Sequence, residues 1–435
     1  MVLHYLPRLM LLALAIFLQV QLTLFAHEGY EGLRVSIADL LLPFAGIGIL
    51  VSLALKRSAW PRWETPFGYW ALALLSLCFA GAILQFYHLH GHFNMWGMLN
   101  KGVGWLVLLA YVAMGAWFIG NMALRDIYRW FVLPFLAFMI GAFCIEAALR
   151  VLFYELLYAE FIFHGINLGY DLSGFMVNRN AYAFLYLSAM VLGGVLLTAR
   201  TSLNRYEIIL FKSFYFFVPL FLTLNLSRSA LLILIPLLVF LCVKNWRFVV
   251  RQVLPLFLIG ALFIPLMNLK TATKTIQNFD TIEKIHDISQ GGETAKEDLY
   301  TGDRLRLRVL EDAWVLIQER PITGSGLGGL LHYQQEATRK QPTIMDNTML
   351  WVLTEMGVIG LVTFLGVYGA MLVTLYRQNS GDKEHEVFIR AVFFMLIGFG
   401  IFSLTHEVFY SRFLWFFLGL GLAVPFSMRQ QRSKV

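Results

Sequence analysis

Windows of about 20 apolar residues recur along the chain, and no other feature constrains the fold as strongly. Each has the length and composition of a membrane-spanning helix. Twelve such windows fall near residues 9–26, 36–55, 68–86, 102–121, 130–152, 180–198, 207–224, 228–243, 249–268, 348–376, 389–405 and 412–428. Only 14% of the 435 residues are charged, where a soluble domain carries about a quarter. The sequence therefore predicts an all-α polytopic membrane helix bundle of about twelve transmembrane helices. The first window follows Arg8 without a small-residue cleavage site, so it reads as a retained helix.

The placement of charge matters more than its sum of +7. Alternate connections carry Lys56, Arg57 and Arg62, then Arg125 and Arg129, then Arg200 and Arg205, and so on to Arg377, Lys383 and the basic tail. The positive-inside rule puts these on the cytoplasmic side, with both termini. The opposite, outer side receives His27–Arg34, the His88-Leu89-His90-Gly91-His92 stretch, residues 153–179 and a long polar segment. The basic residues are scattered through short loops, so no nucleic-acid partner is expected, whereas membrane lipids are. Cys78, Cys144 and Cys242 lie in or beside apolar segments and show no Cys-x-x-Cys spacing. Neither a structural zinc site nor a disulfide framework is expected of them. The alternating histidines lack a carboxylate or cysteine set and read as an interfacial loop, with no metal or cofactor implied.

The long polar segment divides the chain into residues 1–269 with helices 1–9, a large outer loop at 270–347, and residues 348–435 with helices 10–12 and the tail. Apolar residues recur at helical spacing at Leu305, Val309, Ala313 and Leu316. Asp303 is placed to cap this helix, and Pro321 to stop it. An amphipathic helix over 304–319 is expected, lying on the membrane surface or on the bundle as a helical cap.

Several side chains could carry chemistry. Arg304 and Arg308 are one turn apart and share a face, while Arg306 points elsewhere. A planar guanidinium fork matches phosphate oxygens, so the pair would suit a diphosphate; equally, such a pair would suit lipid head groups or Glu311 and Asp312. Arg228, in Asn225-Leu226-Ser227-Arg228-Ser229, sits between two apolar segments, where an arginine is costly without a wet cavity or partner. Glu146 and Arg150 are spaced for an intrahelical pair. His406-Glu407 and Arg412 flank the last outer turn, either lining a cleft or as a solvated turn. Asp346-Asn347 opens an apolar helix, where Asp or Asn serves as N-cap. Asp346 also lies at the lipid–water boundary, where a carboxylate can accept a proton; His332 is the other candidate base.

Taken together, these pieces resemble the O-antigen ligase and polymerase family of bacterial envelope glycosyltransferases. The matching elements come in the family's order over about residues 174–420. Asn178-Arg179-Asn180 opens a helix after Gly174-Phe175, and Ser227-Arg228-Ser229 resembles the short Ser-Arg hairpin. Arg304 through Pro321-Ile322-Thr323-Gly324-Ser325-Gly326 resembles the arginine-to-proline-glycine block. Asp346-Asn347 with Gly357-Val358-Ile359-Gly360 resembles the His-Asn helix with its Gly-x-x-Gly end, although ligases usually carry histidine where this chain has Asp346.

The resemblance implies a bacterial inner-membrane glycosyltransferase with its active site facing the periplasm. The glycan would pass from an undecaprenyl-diphosphate carrier to a glycan or lipid A core acceptor, in O-antigen or exopolysaccharide assembly, by a polymerase or a ligase. The transfer would be of the inverting type. Arg228, Arg304, Arg308, Arg179 and Asn180 would bind substrate, and Asp346, Asn347 and His332 would be catalytic. Alternatives in keeping with the architecture are a flippase or transporter of lipid-linked glycans, a peptidoglycan polymerase of the shape, elongation and division class, and a membrane scaffold.

Overall fold

The structure, a computed structural model, describes residues 2–24, 33–152, 172–176, 178–199, 203–225, 227, 229–230, 234, 246–247, 249–262, 301–337, 343, 345–378 and 382–426. Eight described helices are long and apolar enough to cross a bilayer, and three shorter apolar ones accompany them. Every expected window except 228–243 holds one of these helices; that window lies almost entirely outside the described residues. The chain is a polytopic, helical membrane protein with almost no strand.

The first window is shorter than its apolar run suggests. Helix α1 (Val2–Phe17) stops early, and strand β1 (Gln21–Leu24) pairs antiparallel with β2 (Leu33–Ser36), Gln21 opposite Ser36. The stop has a local cause. The Ser36 hydroxyl donates to the carbonyls of Phe17 and Val20 at 2.8 and 3.1 Å, so the return strand satisfies acceptors at the helix end. The Gln21 N–H leaves the hairpin to donate to the Phe175 carbonyl at 2.8 Å.

A 3₁₀ turn leads into α2 (Leu42–Ala54), then α3 (Tyr69–His90) and, through a π turn, α4 (Gly104–Asn121). His88 and His90 thus end a helix instead of lying in a loop. The short α5 (Leu124–Ile127) continues into α6 (Leu133–Leu152), followed by α7 (Arg179–Ala199), α8 (Arg205–Asn225) and α9 (Leu254–Ala261). The long polar segment contributes α10 (Thr301–Glu319) and α11 (Gly329–Glu336). Two long spans, α12 (Thr348–Arg377) and α13 (Lys383–Ser403), and the shorter α14 (Arg412–Leu422) complete the bundle.

Helix α14 is the most enclosed element, buried along its whole length. It crosses α4 where both helices present glycine. A Cβ on Gly115 would collide with the Phe416 carbonyl, and one on Gly419 with that of Val112. Small residues at such a crossing let two backbones approach closely, which drives helix association in lipid. Aromatic rings fill the space alongside. Phe79 stacks on Trp105 at 5.2 Å, Trp105 meets Trp415 edge-on at 5.3 Å, and the Trp105 indole donates to Ser76 at 2.9 Å. After α14 the chain lies beside the connection following α2: Trp63 bridges Ala423, and the Val424 N–H donates to the Arg62 carbonyl.

The polar segment is tied to the bundle through backbone. Gly357 breaks α12 with φ +66 and ψ −168. The turn after α10 docks into that break. Ser325 and Gly326 N–H groups donate to the Thr354 and Glu355 carbonyls at 2.9 and 3.0 Å, while the Val358 N–H donates back to Pro321 at 2.8 Å. The same turn reaches α3, with Leu327 N–H donating to Ala82 at 3.0 Å. A Cβ on Gly357 would strike the Ile322 carbonyl. The helix fills the expected window 348–376, running on to Arg377, with a kink at Gly357 that the apolar pattern does not reveal.

Gly357→Ala is expected to lower the unfolding temperature of detergent-purified protein sharply, because that backbone conformation is nearly confined to glycine and costs other residues about 1–3 kcal/mol. Gly366→Ala in the same helix, with open space around it, should be neutral or stabilising by up to about 1 kcal/mol. Equal thermal melts for the two variants would remove the docking argument.

Candidate functional site

One end of the bundle gathers buried polar groups that the sequence spreads over more than 200 positions. The segment before α7 approaches first. The Ser173 and Gly174 N–H groups donate to the Glu146 carboxylate at 3.2 and 2.7 Å, so Glu146 has a task beyond any pairing with Arg150, whose side chain lies outside the description. Gly174 has φ +60, and its bare Cα faces the Tyr182 ring. Asn178 accepts the Asn180 N–H at 2.7 Å and so starts α7. At the end of α8, buried Asn225 donates to the carbonyls of Leu172 and Arg179. Ser227 donates to the Asn180 side chain at 3.0 Å. Ser229 shares a 2.7 Å hydrogen bond with His406 Nε2. Asn180 and the serines around position 228 therefore meet. Arg228 itself lies outside the described residues.

The start of α12 completes the ring. Asn347, not Asp346, is the N-cap: its side-chain oxygen accepts the Leu350 N–H at 2.9 Å, and its amide donates to the Leu404 carbonyl. Thr348 donates to the His406 carbonyl at 3.0 Å and accepts the Val408 N–H at 3.2 Å. These bonds hold the turn between α13 and α14 against the mouth. His406 and Arg412 are buried here, so the last outer turn is not a solvated one. Arg412 donates to both Asp39 oxygens at 2.9 Å and to the Arg34 carbonyl at 2.8 Å; Tyr111 donates to the same carboxylate. Asp39 in turn caps the Ser36 N–H. Arg412 is thereby spent on joining α14 to the β-hairpin.

Asp346, relieved of capping, faces Arg306 at 3.4 Å, and both side chains are 39% exposed. Arg306 lies on a different face from Arg308, as the spacing predicts, and it is the arginine that reaches Asp346. Helix α10 seats Val309, Ala313 and Leu316 on the bundle. Residue 306 flanks that seat on one side, whereas 308 lies on the other. Arg308 is exposed, and the Arg304 side chain lies outside the description. The described helix, Thr301–Glu319, already includes Asp303, which therefore lies inside it instead of capping it, while Pro321 follows its end as expected. Leu310 and Trp314 remain exposed on its outer side.

His332 sits on α11, turned towards the end of α3. Its ring lies 5.3 Å from Phe86 and 4.2 Å from His90, and Nε2 is 3.2 Å from Glu336. Among the described residues it shows no contact with Asp346.

A buried cation escaped the sequence reading. Lys101 is 3% exposed. It pairs with Glu407 and lies over the rings of Trp351, Tyr410 and Trp96 at 4.4, 4.9 and 5.4 Å. Trp351 donates to Glu355 at 2.7 Å. Burial, with Glu407 and Glu355 adding to it, pushes the Tyr410 phenol well above its ordinary range, so it stays a donor to the Lys101 carbonyl at 3.0 Å. The signal was a lone lysine at the edge of an apolar window, which is costly there unless partnered.

Lys101→Met or Glu407→Gln alone should destabilise the protein by about 3–5 kcal/mol, since each leaves a buried charge unpaired. The double variant should recover much of that loss. Chemical unfolding of the four proteins measures the coupling, and strict additivity would mean that the pair does not act as a unit.

No curated protein matches the chain. Residues 213–365 match the family model Wzy_C, described as O-antigen ligase. The match runs from α8 through α10 and α11 to the middle of α12, and so takes in the 225–229 stretch, Arg306, the docking turn and Asp346. Over that stretch, about a third of the chain, the protein is similar to O-antigen ligases, and the order of motifs and the polytopic helical fold agree with that similarity.

Proposed function

We propose that the protein transfers a glycan from an undecaprenyl-diphosphate carrier to an acceptor hydroxyl at the periplasmic face of the inner membrane, as the polymerase or ligase step of O-antigen or exopolysaccharide assembly. The acceptor is a glycan or lipid A core. The observation that carries this reading is the Asp346–Arg306 pair, half-exposed beside a ring of buried polar groups, with Asn347 doing the capping. A base and a phosphate-binding cation thus stand together where lipid-linked substrate enters from the membrane.

In this proposal the acceptor hydroxyl gives its proton to Asp346 as its oxygen bonds to the anomeric carbon. The bond from that carbon to the diphosphate oxygen breaks, and the diphosphate leaves with the electron pair. Attack opposite the leaving group inverts the anomeric centre. Arginines neutralise the charge that builds on the leaving group. Arg306 takes that role at Asp346, and Arg304, Arg308 and Arg228 are the further arginines that the sequence offers for it. Arg179 and Asn180, at the start of α7, contact the sugar. Asn347 holds Asp346 at the head of α12 by capping the helix.

Turnover of lipid-linked donor by purified protein tests the assignment. Asp346→Asn should lose about 10²- to 10⁴-fold in rate, the range a positioned base contributes, while its unfolding temperature stays near that of the wild type. Arg306→Ala should lose about 10- to 100-fold, corresponding to about 1.5–3 kcal/mol for a hydrogen bond to a charged group. Full turnover in Asp346→Asn would take Asp346 out of the mechanism. In a deletion strain, single repeats still attached to lipid A core would assign the polymerase step, and loss of all attachment the ligase step.

The sidedness is tested separately. In a background without the three native cysteines, a membrane-impermeant thiol reagent should label a cysteine at position 290 in intact cells and spare one at position 383. The reverse pattern would overturn the orientation.

A further inference from the structure

The end of α3 and the helix α11 bring three metal-ligating side chains together. Ligand atoms of His90, His332 and Glu336 all lie within 4.8 Å of one another. His332 and Glu336 are one turn apart on α11, with Nε2 and Oε1 separated by 3.2 Å. Two donors bound about 2.05 Å from one ion at the tetrahedral angle lie about 3.3 Å apart. The pair on α11 is already at that spacing. His90 comes from a different element, and its ring is 4.2 Å from that of His332 at 74°.

His92 stands beside the group, 5.5 Å from His332 and 6.2 Å from His90 by ring centres. Its Nδ1 is 2.9 Å from the His90 carbonyl. A ring that donates to a backbone carbonyl through one nitrogen presents the other as a lone pair, the usual arrangement of a metal-bound imidazole. Phe86 backs the cluster, buried against His90, His92 and His332 at 4.5, 5.8 and 5.3 Å. The frame is stiff: Gly326 packs on the Phe86 backbone, and Gly328, with φ +84, packs on Asn94 at the head of α11.

We propose that His90, His332 and Glu336 bind a divalent transition metal of the zinc class, with His92 facing the fourth position. Two imidazoles and one carboxylate are a borderline donor set that suits Zn²⁺ and is poor for Ca²⁺ or Mg²⁺, which take oxygen ligands. The ion fastens the outer helix α11 to the membrane helix α3. His332 then serves as a ligand, and its lone pair is not available as the base of glycosyl transfer. The proposal stands on the cluster alone and does not depend on the reaction assigned to the Asp346 site.

The experiment uses full-length protein in detergent, stripped with chelator and then titrated with Zn²⁺ and, separately, Co²⁺. About one Zn²⁺ per chain should bind, raising the unfolding temperature, and Co²⁺ should give the intense visible bands of a four-coordinate site. His90→Ala and His332→Ala should each weaken binding by more than the roughly 10- to 100-fold typical of losing an outer-shell partner. His88→Ala, on the exposed side of α3, should bind as wild type does. Zn²⁺ uptake unchanged in His90→Ala and His332→Ala would overturn the proposal. Should those variants fail to fold, the wild-type Co²⁺ spectrum decides, and the weak bands of hydrated Co²⁺ would overturn it equally.

Discussion

The mouth of this protein depends on a join between two pieces of backbone. A long transmembrane helix breaks at Gly357, and the turn Pro321–Gly326 fills the break with its own N–H and carbonyl groups. Backbone groups left open inside a membrane protein cost several kcal/mol each. The break and the turn therefore stabilise each other, and neither is tolerable alone. Glycine is required on both sides, at Gly324 and Gly357, because each Cα faces a carbonyl of the other strand. Through this join α10 is set beside Asp346 and α11 is set against α3.

Around the join the polar residues divide into two kinds. One kind is consumed in holding helices together. Arg412 with Asp39, Lys101 with Glu407 and its aromatic rings, and Asn225 with two carbonyls are all buried, each in contact with charge or backbone. The other kind keeps solvent contact: Arg306 and Asp346, and, on the far side of α11, His92 and Glu336. Buried charges of the first kind are costly to disturb and bear on stability. Exposed groups of the second kind are free to exchange partners with a substrate or an ion, so chemistry is assigned to them.

Much of this was legible in the residues themselves. Apolar windows of bilayer length revealed the spans because lipid leaves a chain few other solutions. Pro321 marked the end of α10, and the period of Val309, Ala313 and Leu316 marked its seated face. The order of short motifs resembled that of the family whose model matches residues 213–365. Other features turned on details that the residues leave open. The first window ended early because Ser36 returns to donate its hydroxyl to the carbonyls at the helix end. Asp346 and Asn347 are both capping residues by type, and only the backbone geometry shows that Asn347 caps. Arg306 was set aside by counting helix turns, although which flank of α10 faces Asp346 depends on where the helix is seated.

The sequence by itself determined that the chain is a membrane helix bundle interrupted by a long polar segment, because hydrophobic length is a local property. Tertiary structure alone decided which polar side chains meet. Arg306 and Asp346, Lys101 and Glu407, Ser229 and His406, and His90 with His332 and Glu336 are far apart along the chain. A histidine pattern without a carboxylate looked incomplete because its carboxylate is more than 240 positions away, on a helix held in place by the glycine turn. Hydrophobic periodicity reports which face of a helix is buried; it carries no information about which other helix lies opposite.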